Sequence, residues 1–237
     1  DARTGALVSF EVLLRWHHPT RGLVAAEDFI AQAEDTRFMV PLGEWVLNTA
    51  LAQVKHWHDS GLNGFGLSLN MSMRQLQSRD FLQRFATNLQ RAQFDPSKIL
   101  IEISETRLLR DLDLVHQRLK TLARLGVRVC IDNFGTGGIS FNQLRSLPVN
   151  AVKLDRSLVQ DLRADDEEHA IQKALILVAH AMKVDLLAHG VENEFQLKFL
   201  REHACNIWQG YLYARPLSAD AATQLLTARA TSRPQGG

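Results

Sequence analysis

The feature that most narrows how this chain can fold is a rhythm: short apolar runs rich in β-branched residues alternate with longer amphipathic stretches. The runs cover 7–16, 64–70, 99–104, 127–132, 151–154, 185–188 and 207–209. Continuous apolar runs of this kind suit strands covered on both faces, and helical crossovers between them favour parallel pairing. The intervening stretches 41–58, 80–92, 112–125, 167–182, 194–203 and 220–230 repeat apolar residues at helical spacing. Within 41–58, Leu42, Trp45, Val46, Thr49, Ala50 and Val54 share one face at 3.6-residue spacing. The pattern predicts an α/β chain with a parallel sheet, either a barrel or a doubly wound sheet. Its 237 residues suit one large core as well as two small ones.

Polar residues fall at telling places in this pattern. Asn70, Glu102 and Asp132 each stand at or just beyond the C-terminal end of an apolar run, and Glu11 stands inside one. In a parallel barrel those ends converge on the face where active sites are built. An inward-facing Glu is costly unless it is paired or bound to a cation. Three acids and an amide make a hard oxygen set suited to Mg²⁺ or Mn²⁺, and Lys153 adds a cation that can hold a phosphate oxygen or orient a water. Singly, a strand-end Asp or Asn is more often a helix cap, and a strand Lys an edge blocker. Their recurrence on successive strands points to one shared mouth.

The residues Glu11-Val12-Leu13-Leu14-Arg15-Trp16, with His18-Pro19 and Gly22, resemble the opening signature of the EAL domain family. Further matches follow in order: Phe29 to Glu34, Leu42 to Leu47, Asn70-Met71-Ser72, Glu102 to Thr106, Asp132 to Gly137, Val152 to Ser157, and Cys205 to Tyr211, closing on Pro216-Leu217. The resemblance runs from about Gly5 to Leu217 and implies a TIM-like (β/α)8 barrel. The family's leading strand, with its usual Tyr-Gln-Pro, has no counterpart here. A single domain is expected over 1–230, with 231–237 a flexible tail.

What the resemblance implies is cyclic di-GMP as ligand and, in intact members, its metal-dependent hydrolysis to pGpG. Residues matching Glu11, Asn70, Glu102 and Asp132 hold one divalent ion in the family, and the aspartate matching Asp132 bridges to a second. Lys153 matches the lysine that contacts the attacking water, and Gln209 a glutamine near the metal. Glu105 matches the glutamate that holds the loop after Asp132. Leu13, Arg15, Asp155 and Pro216, with Asn70 and Gln209, match positions around the dinucleotide. An Arg fork suits a phosphate, and Leu13 offers a surface for a guanine.

Two positions depart from the family, and both belong to its second metal. Asn133 replaces the second aspartate of the DDFGTG loop, and His189 the first glutamate of the EGVE segment. Glu11, Glu102 and Asp132 then remain, two carboxylates fewer than in the family's set, while two divalent ions still bring +4. Each charge pair at ~4 Å is worth about 4 kcal/mol at an effective dielectric near 20, so the second site is expected to be weak. Asn133 retains an oxygen donor and neutral His189 a nitrogen, so a softer ion remains an option; alternatively His189 is only a hydrogen-bonded rim residue. The expected function is therefore a receptor or regulatory module that binds cyclic di-GMP with weak or absent hydrolysis. The alternative is an active divalent-metal-dependent phosphodiesterase.

The remaining signals are general. Lys plus Arg total 27 against 26 Asp plus Glu, which argues against a broad basic face for DNA or RNA. Cys130 and Cys205 read as reduced core thiols, and His17 and His18 as surface or turn residues. No apolar run reaches the ~20 residues that span a bilayer. A bacterial cytoplasmic location is expected, in a larger protein with an upstream regulatory domain. A homodimer through the 132–140 loop region is also expected.

Overall fold

The computed structural model describes residues 1–30, 33, 36, 38–108, 111–163 and 169–232. Strand β1 (Ser9–Val12) is followed by an antiparallel hairpin of β2 (Arg15–His18) and β3 (Gly22–Ala25). Then come β4 (Gly66–Asn70), β5 (Ile99–Ser104), β6 (Arg128–Phe134), β7 (Ala151–Leu154), β8 (Asp185–His189) and β9 (Ile207–Gln209). Among the described residues, β1 and β4 to β9 form one seven-stranded sheet in chain order, every pair parallel. Helices occupy the crossovers, as parallel connections require. This is the predicted α/β architecture: a curled, TIM-like sheet whose edges are β1 and β9.

Strand alternation builds two layers. Ile99, Ile101, Ile103, Val129, Ile131, Val152 and Leu154 belong to the main core, which they share with helix residues such as Leu119, Leu122 and Val159. The opposite faces of the same strands place Leu100, Cys130 and Ala151, with Leu187 beside them, in a second small apolar cluster inside the curl. One step further along, Glu102 and Lys153 share that inner face, and both are buried. Cys130 and Cys205 are free, buried thiols, as expected.

Several expected elements shift. The run 7–16 is not one strand: β1 ends at Val12, and Arg15 opens the hairpin. His17 and His18 lie in β2, with His17 exposed as expected of a surface residue, and His18 Nδ1 accepts from the amides of Thr20 and Arg21 at 3.2 Å, as expected of a turn residue. The helix expected over 41–58 spans Met39–Asp59 and buries Leu47, Ala50, Leu51, Val54 and Trp57, whereas Trp45 is 57% exposed and Thr49 faces solvent. Trp57 fixes this rotation, since its ring packs against Phe10 and Phe65 and its Nε1 donates to Thr223 Oγ1 at 2.7 Å.

Four short helices escaped the periodicity: Met73–Gln77, Glu105–Leu108, Phe141–Ser146 and Arg156–Gln160. Each is under two turns, and caps from Ser72, Ser140 and Asp155 define three of them. The stretch 167–182 is helical over Ala170–Met182, with 167 and 168 outside the described residues. Of the segment Phe29 to Glu34, positions 31, 32 and 34 also lie outside them. The closing helix runs Ala219–Ser232, two residues past the expected boundary at 230; the tail positions 233–237 are outside the described residues. Among the described residues, no helix is long and apolar enough to cross a membrane.

Candidate functional site

The C-terminal ends of β1, β4, β5, β6, β7, β8 and β9 carry Glu11, Asn70, Glu102, Asp132, Lys153, His189 and Gln209. Register puts Asn70 beside Glu102 and His189 beside Gln209. Glu11 is bonded from three strands: its Oε1 accepts from Asn70 Nδ2 at 2.9 Å, and its Oε2 from Lys153 Nζ at 2.9 Å and from Gln209 Nε2 at 2.7 Å. Lys153 Nζ also donates to Glu102 Oε2 at 2.8 Å, and Ser68 Oγ donates to the other Glu102 oxygen. Residues separated by up to 198 positions thus meet in one network at the mouth.

Burial sets the electrostatics. Lys153 is 1% exposed and Glu102 is 2% exposed, so neither charge is sustainable without its partner. Burial pushes the Glu11 carboxyl up, but the Lys153 ammonium and hydrogen bonds from Gln209, Lys153 and Asn70 outweigh it and hold the group well below the usual range. Glu102 goes the other way: burial raises it beyond what Lys153 offsets, and Glu11 and Asp132 add repulsion. Burial lowers the Lys153 ammonium, yet the carboxylates of Glu102, Glu11 and Asp132 carry it above its ordinary value. His189 is held below its usual value by burial and by the nearby Lys153 charge, which favours the neutral ring.

The loop after β6 is built around Glu105, which is 1% exposed. Its Oε2 accepts from the backbone N–H of Gly135, Thr136 and Gly137 at 2.8, 3.2 and 3.1 Å, and its Oε1 from that of Ile139 at 2.8 Å. At the head of the loop the β6–β7 pairing breaks between Ile131 and Phe134, and Asn133 takes φ 56°, a left-handed position that Asn tolerates better than most residues. Gly137 must be glycine here, because a Cβ would lie 2.9 Å from Glu105 Cγ.

The residues expected to contact the ligand differ in how far their side chains are already engaged. Leu13 is 40% exposed, and Arg15 Nη1 donates to Leu14 O at 2.8 Å. Asp155 caps the helix Arg156–Gln160 by accepting from Ser157 N at 2.9 Å, so the bland reading of a strand-end Asp holds for it in this geometry. Pro216 is exposed beyond β9. Ser68 was missed, although its alternation with Asn70 in Gly66–Asn70 placed both on the inner face.

Asp132 Oδ1 is buried and has no hydrogen-bond partner, an orphaned acceptor that a cation would satisfy. Among the described residues, no three His, Cys, Asp or Glu side chains converge as a ready metal cage; Lys153 stands between Glu11 and Glu102 instead. The donor chemistry of Glu11, Asn70, Glu102 and Asp132 nevertheless fits a hard divalent cation.

Comparison with known proteins agrees with this geometry. The family model described as "EAL domain" matches residues 1–216. The bifunctional diguanylate cyclase/cyclic di-GMP phosphodiesterase MucR of Pseudomonas aeruginosa is 35% identical over 219 residues, covering 92% of this chain and 32% of MucR. The cyclic di-GMP phosphodiesterase PdeR of Escherichia coli is 35% identical over 217 residues, covering 92% of this chain and 33% of PdeR. The chain therefore spans about a third of the length of these relatives. Among solved structures, the PaMucR phosphodiesterase in its c-di-GMP complex superposes with TM-score 0.86 at 35% identity, covering 93% of this chain and 88% of that one. The FimX EAL domain from Pseudomonas aeruginosa bound to c-di-GMP gives TM-score 0.83 at 26% identity, covering 93% and 88%. With the strand order, the acid-lysine network and the family match in agreement, this chain belongs to the EAL domain family.

Proposed function

We propose that this chain is a bacterial signalling module that binds cyclic di-GMP at the barrel mouth and hydrolyses it to pGpG weakly or not at all. The observation that carries the reading is the pairing of a retained mouth, Glu11, Asn70, Glu102 and Lys153 in one hydrogen-bonded network, with neutral Asn133 and His189 at the two positions where the family has acids. Arg15 serves a phosphate, Leu13 a guanine face, and Asp155 and Pro216 complete the contacts. Lys153 holds its proton on Nζ and positions Glu11 and Glu102, and Glu105 fixes the loop that follows Asp132.

Glu11, Asn70, Glu102 and Asp132 would hold one Mg²⁺ or Mn²⁺, with a second site weakened by Asn133 and His189. Such an ion, when bound, neutralises charge on the phosphodiester and activates a water. The second reading is an active phosphodiesterase, favoured by the retained Lys153 and by the naming of MucR and PdeR. One assay separates the two: titrate cyclic di-GMP in Ca²⁺, and follow pGpG in Mg²⁺ or Mn²⁺. Tight binding without product supports the receptor, sustained turnover supports the enzyme, and no binding at high ligand concentration rejects both.

The module is further proposed to act as one domain within a longer cytoplasmic protein that carries an upstream regulatory domain. The chain's coverage of about a third of MucR and PdeR supports this. A second copy is proposed to dock at the 132–140 loop region, next to which in sequence Phe141 is 63% exposed. Sedimentation of the purified chain tests the dimer.

A further inference from the structure

One step below the acids, the inner face of the sheet turns apolar, and Ser68 breaks that character. Leu100, Cys130, Ala151 and Leu187 make up the apolar layer. Register places Ser68 in it, directly beside Leu100 of β5 on one side and Glu11 of β1 on the other. Ser68 is 3% exposed. A hydroxyl buried this deeply costs stability unless it is hydrogen-bonded, and an alanine would occupy nearly the same space without that cost. The serine is therefore explained by its partner and not by packing.

That partner is Glu102. Ser68 Oγ donates to Glu102 Oε1, while Glu102 Oε2 accepts from Lys153 Nζ at 2.8 Å. Both oxygens of a carboxylate that is only 2% exposed are thus engaged, and together the two bonds set the plane of the group. Asp132 Oδ1, by contrast, is buried with no hydrogen-bond partner.

The two donors to Glu102 differ in kind. Lys153 reaches from β7, two strands away, and is shared with Glu11 at 2.9 Å. Its positive charge opposes any divalent cation drawn to the same acids. Ser68 reaches from the adjacent strand β4 and is neutral, so it holds its oxygen without repelling such a cation. Groups that hydrogen-bond a metal-ligating side chain aim it at the ion, and their loss typically weakens binding about tenfold to a hundredfold.

We propose that Ser68 is a positioning residue for the cation site: it anchors Glu102 from below, so that this carboxylate is presented to a divalent ion together with Glu11, Asn70 and Asp132. The inference rests on the cation site proposed above. The test titrates Mn²⁺ alone into the metal-free whole chain and its variants, read by calorimetry and by the paramagnetic resonance of free Mn²⁺. Ser68→Ala is expected to weaken Mn²⁺ about tenfold to a hundredfold, and Ser68→Thr, which keeps the hydroxyl, to retain the affinity of the unaltered chain. Leu100→Ala truncates the register neighbour of Ser68 without removing a polar group; it is expected to lower the thermal melt and leave Mn²⁺ affinity unmoved. A Ser68→Ala chain that melts earlier but binds Mn²⁺ as before would make the serine merely structural and overturn the inference. Equal weakening by Leu100→Ala would overturn it as well, because packing and not the hydrogen bond would then be the cause. Absence of Mn²⁺ binding to the unaltered chain would sink the cation site and this inference together, an outcome distinct from Mn²⁺ binding that is indifferent to Ser68.

Discussion

Lys153 shows at the scale of one residue how a functional side chain becomes a structural one. Its ammonium is almost fully buried between two carboxylates, with side-chain exposures of 2% for Lys153, 10% for Glu11 and 1% for Glu102. Removing the cation leaves two buried acids uncompensated, a change that typically costs about 3 to 5 kcal/mol. Lys153→Met is therefore expected to lower stability by that order in urea unfolding, and Glu102→Gln in the same background to recover part of the loss. Arg15→Ala belongs at this scale too: a charged hydrogen bond is worth about 1.5 to 3 kcal/mol, so cyclic di-GMP affinity should fall tenfold or more by calorimetry. An unchanged affinity would remove Arg15 from the phosphate. Glu102 and Asp132 were legible in the sequence because each stands at the end of an apolar run, and Glu11 because a carboxylate inside such a run is costly unless paired. Ser68 was not, since a serine within Gly66–Asn70 carries no charge to draw notice.

At the scale of elements, the loop after β6 is organised by a single carboxylate. Glu105 replaces water for four backbone amides, and such donors are costly to leave unpaired. Glu105→Ala is expected to speed amide hydrogen exchange at Gly135, Gly137 and Ile139 while β5 keeps its protection; uniform loosening of both would mean global destabilisation instead. The helix Met39–Asp59 supplies a second comparison. Trp57→Ala should cost about 3 to 5 kcal/mol as a buried aromatic truncation, whereas Trp45→Ala on the exposed side should stay within about 0.5 kcal/mol. Periodicity located this helix to within two residues at its start, and of the face it marked Ala50 and Val54 are buried while Trp45 is exposed. A helix this apolar carries overlapping stripes, and the choice between them is made by Phe10, Phe65 and Thr223, none of them local in sequence. The four short helices were unreadable for a related reason, having too few turns to show a period.

For the whole molecule, alternation of runs and amphipathic stretches was enough to give parallel strands, and the barrel-like chain order came only from the family resemblance. It did not reveal the β2–β3 hairpin, which depends on a turn at Gly22 with φ +72° rather than on hydrophobic pattern. The proposed receptor role also belongs here, because it concerns charge summed over several strands. Restoring both acids with Asn133→Asp and His189→Glu is expected to raise pGpG formation in Mg²⁺ or Mn²⁺; no gain would show that the missing carboxylates do not limit turnover. Asn133 sits in a left-handed conformation that Asp also tolerates, so the backbone offers little resistance to the change. Finally, β1 and β9 are the two borders of the curled sheet, and at the mouth Glu11 and Gln209 are hydrogen-bonded across them at 2.7 Å. The ring is thus fastened there by a side-chain clasp instead of a backbone ladder. A cation bound at Glu11 would therefore draw on the same carboxylate that joins the two borders of the sheet.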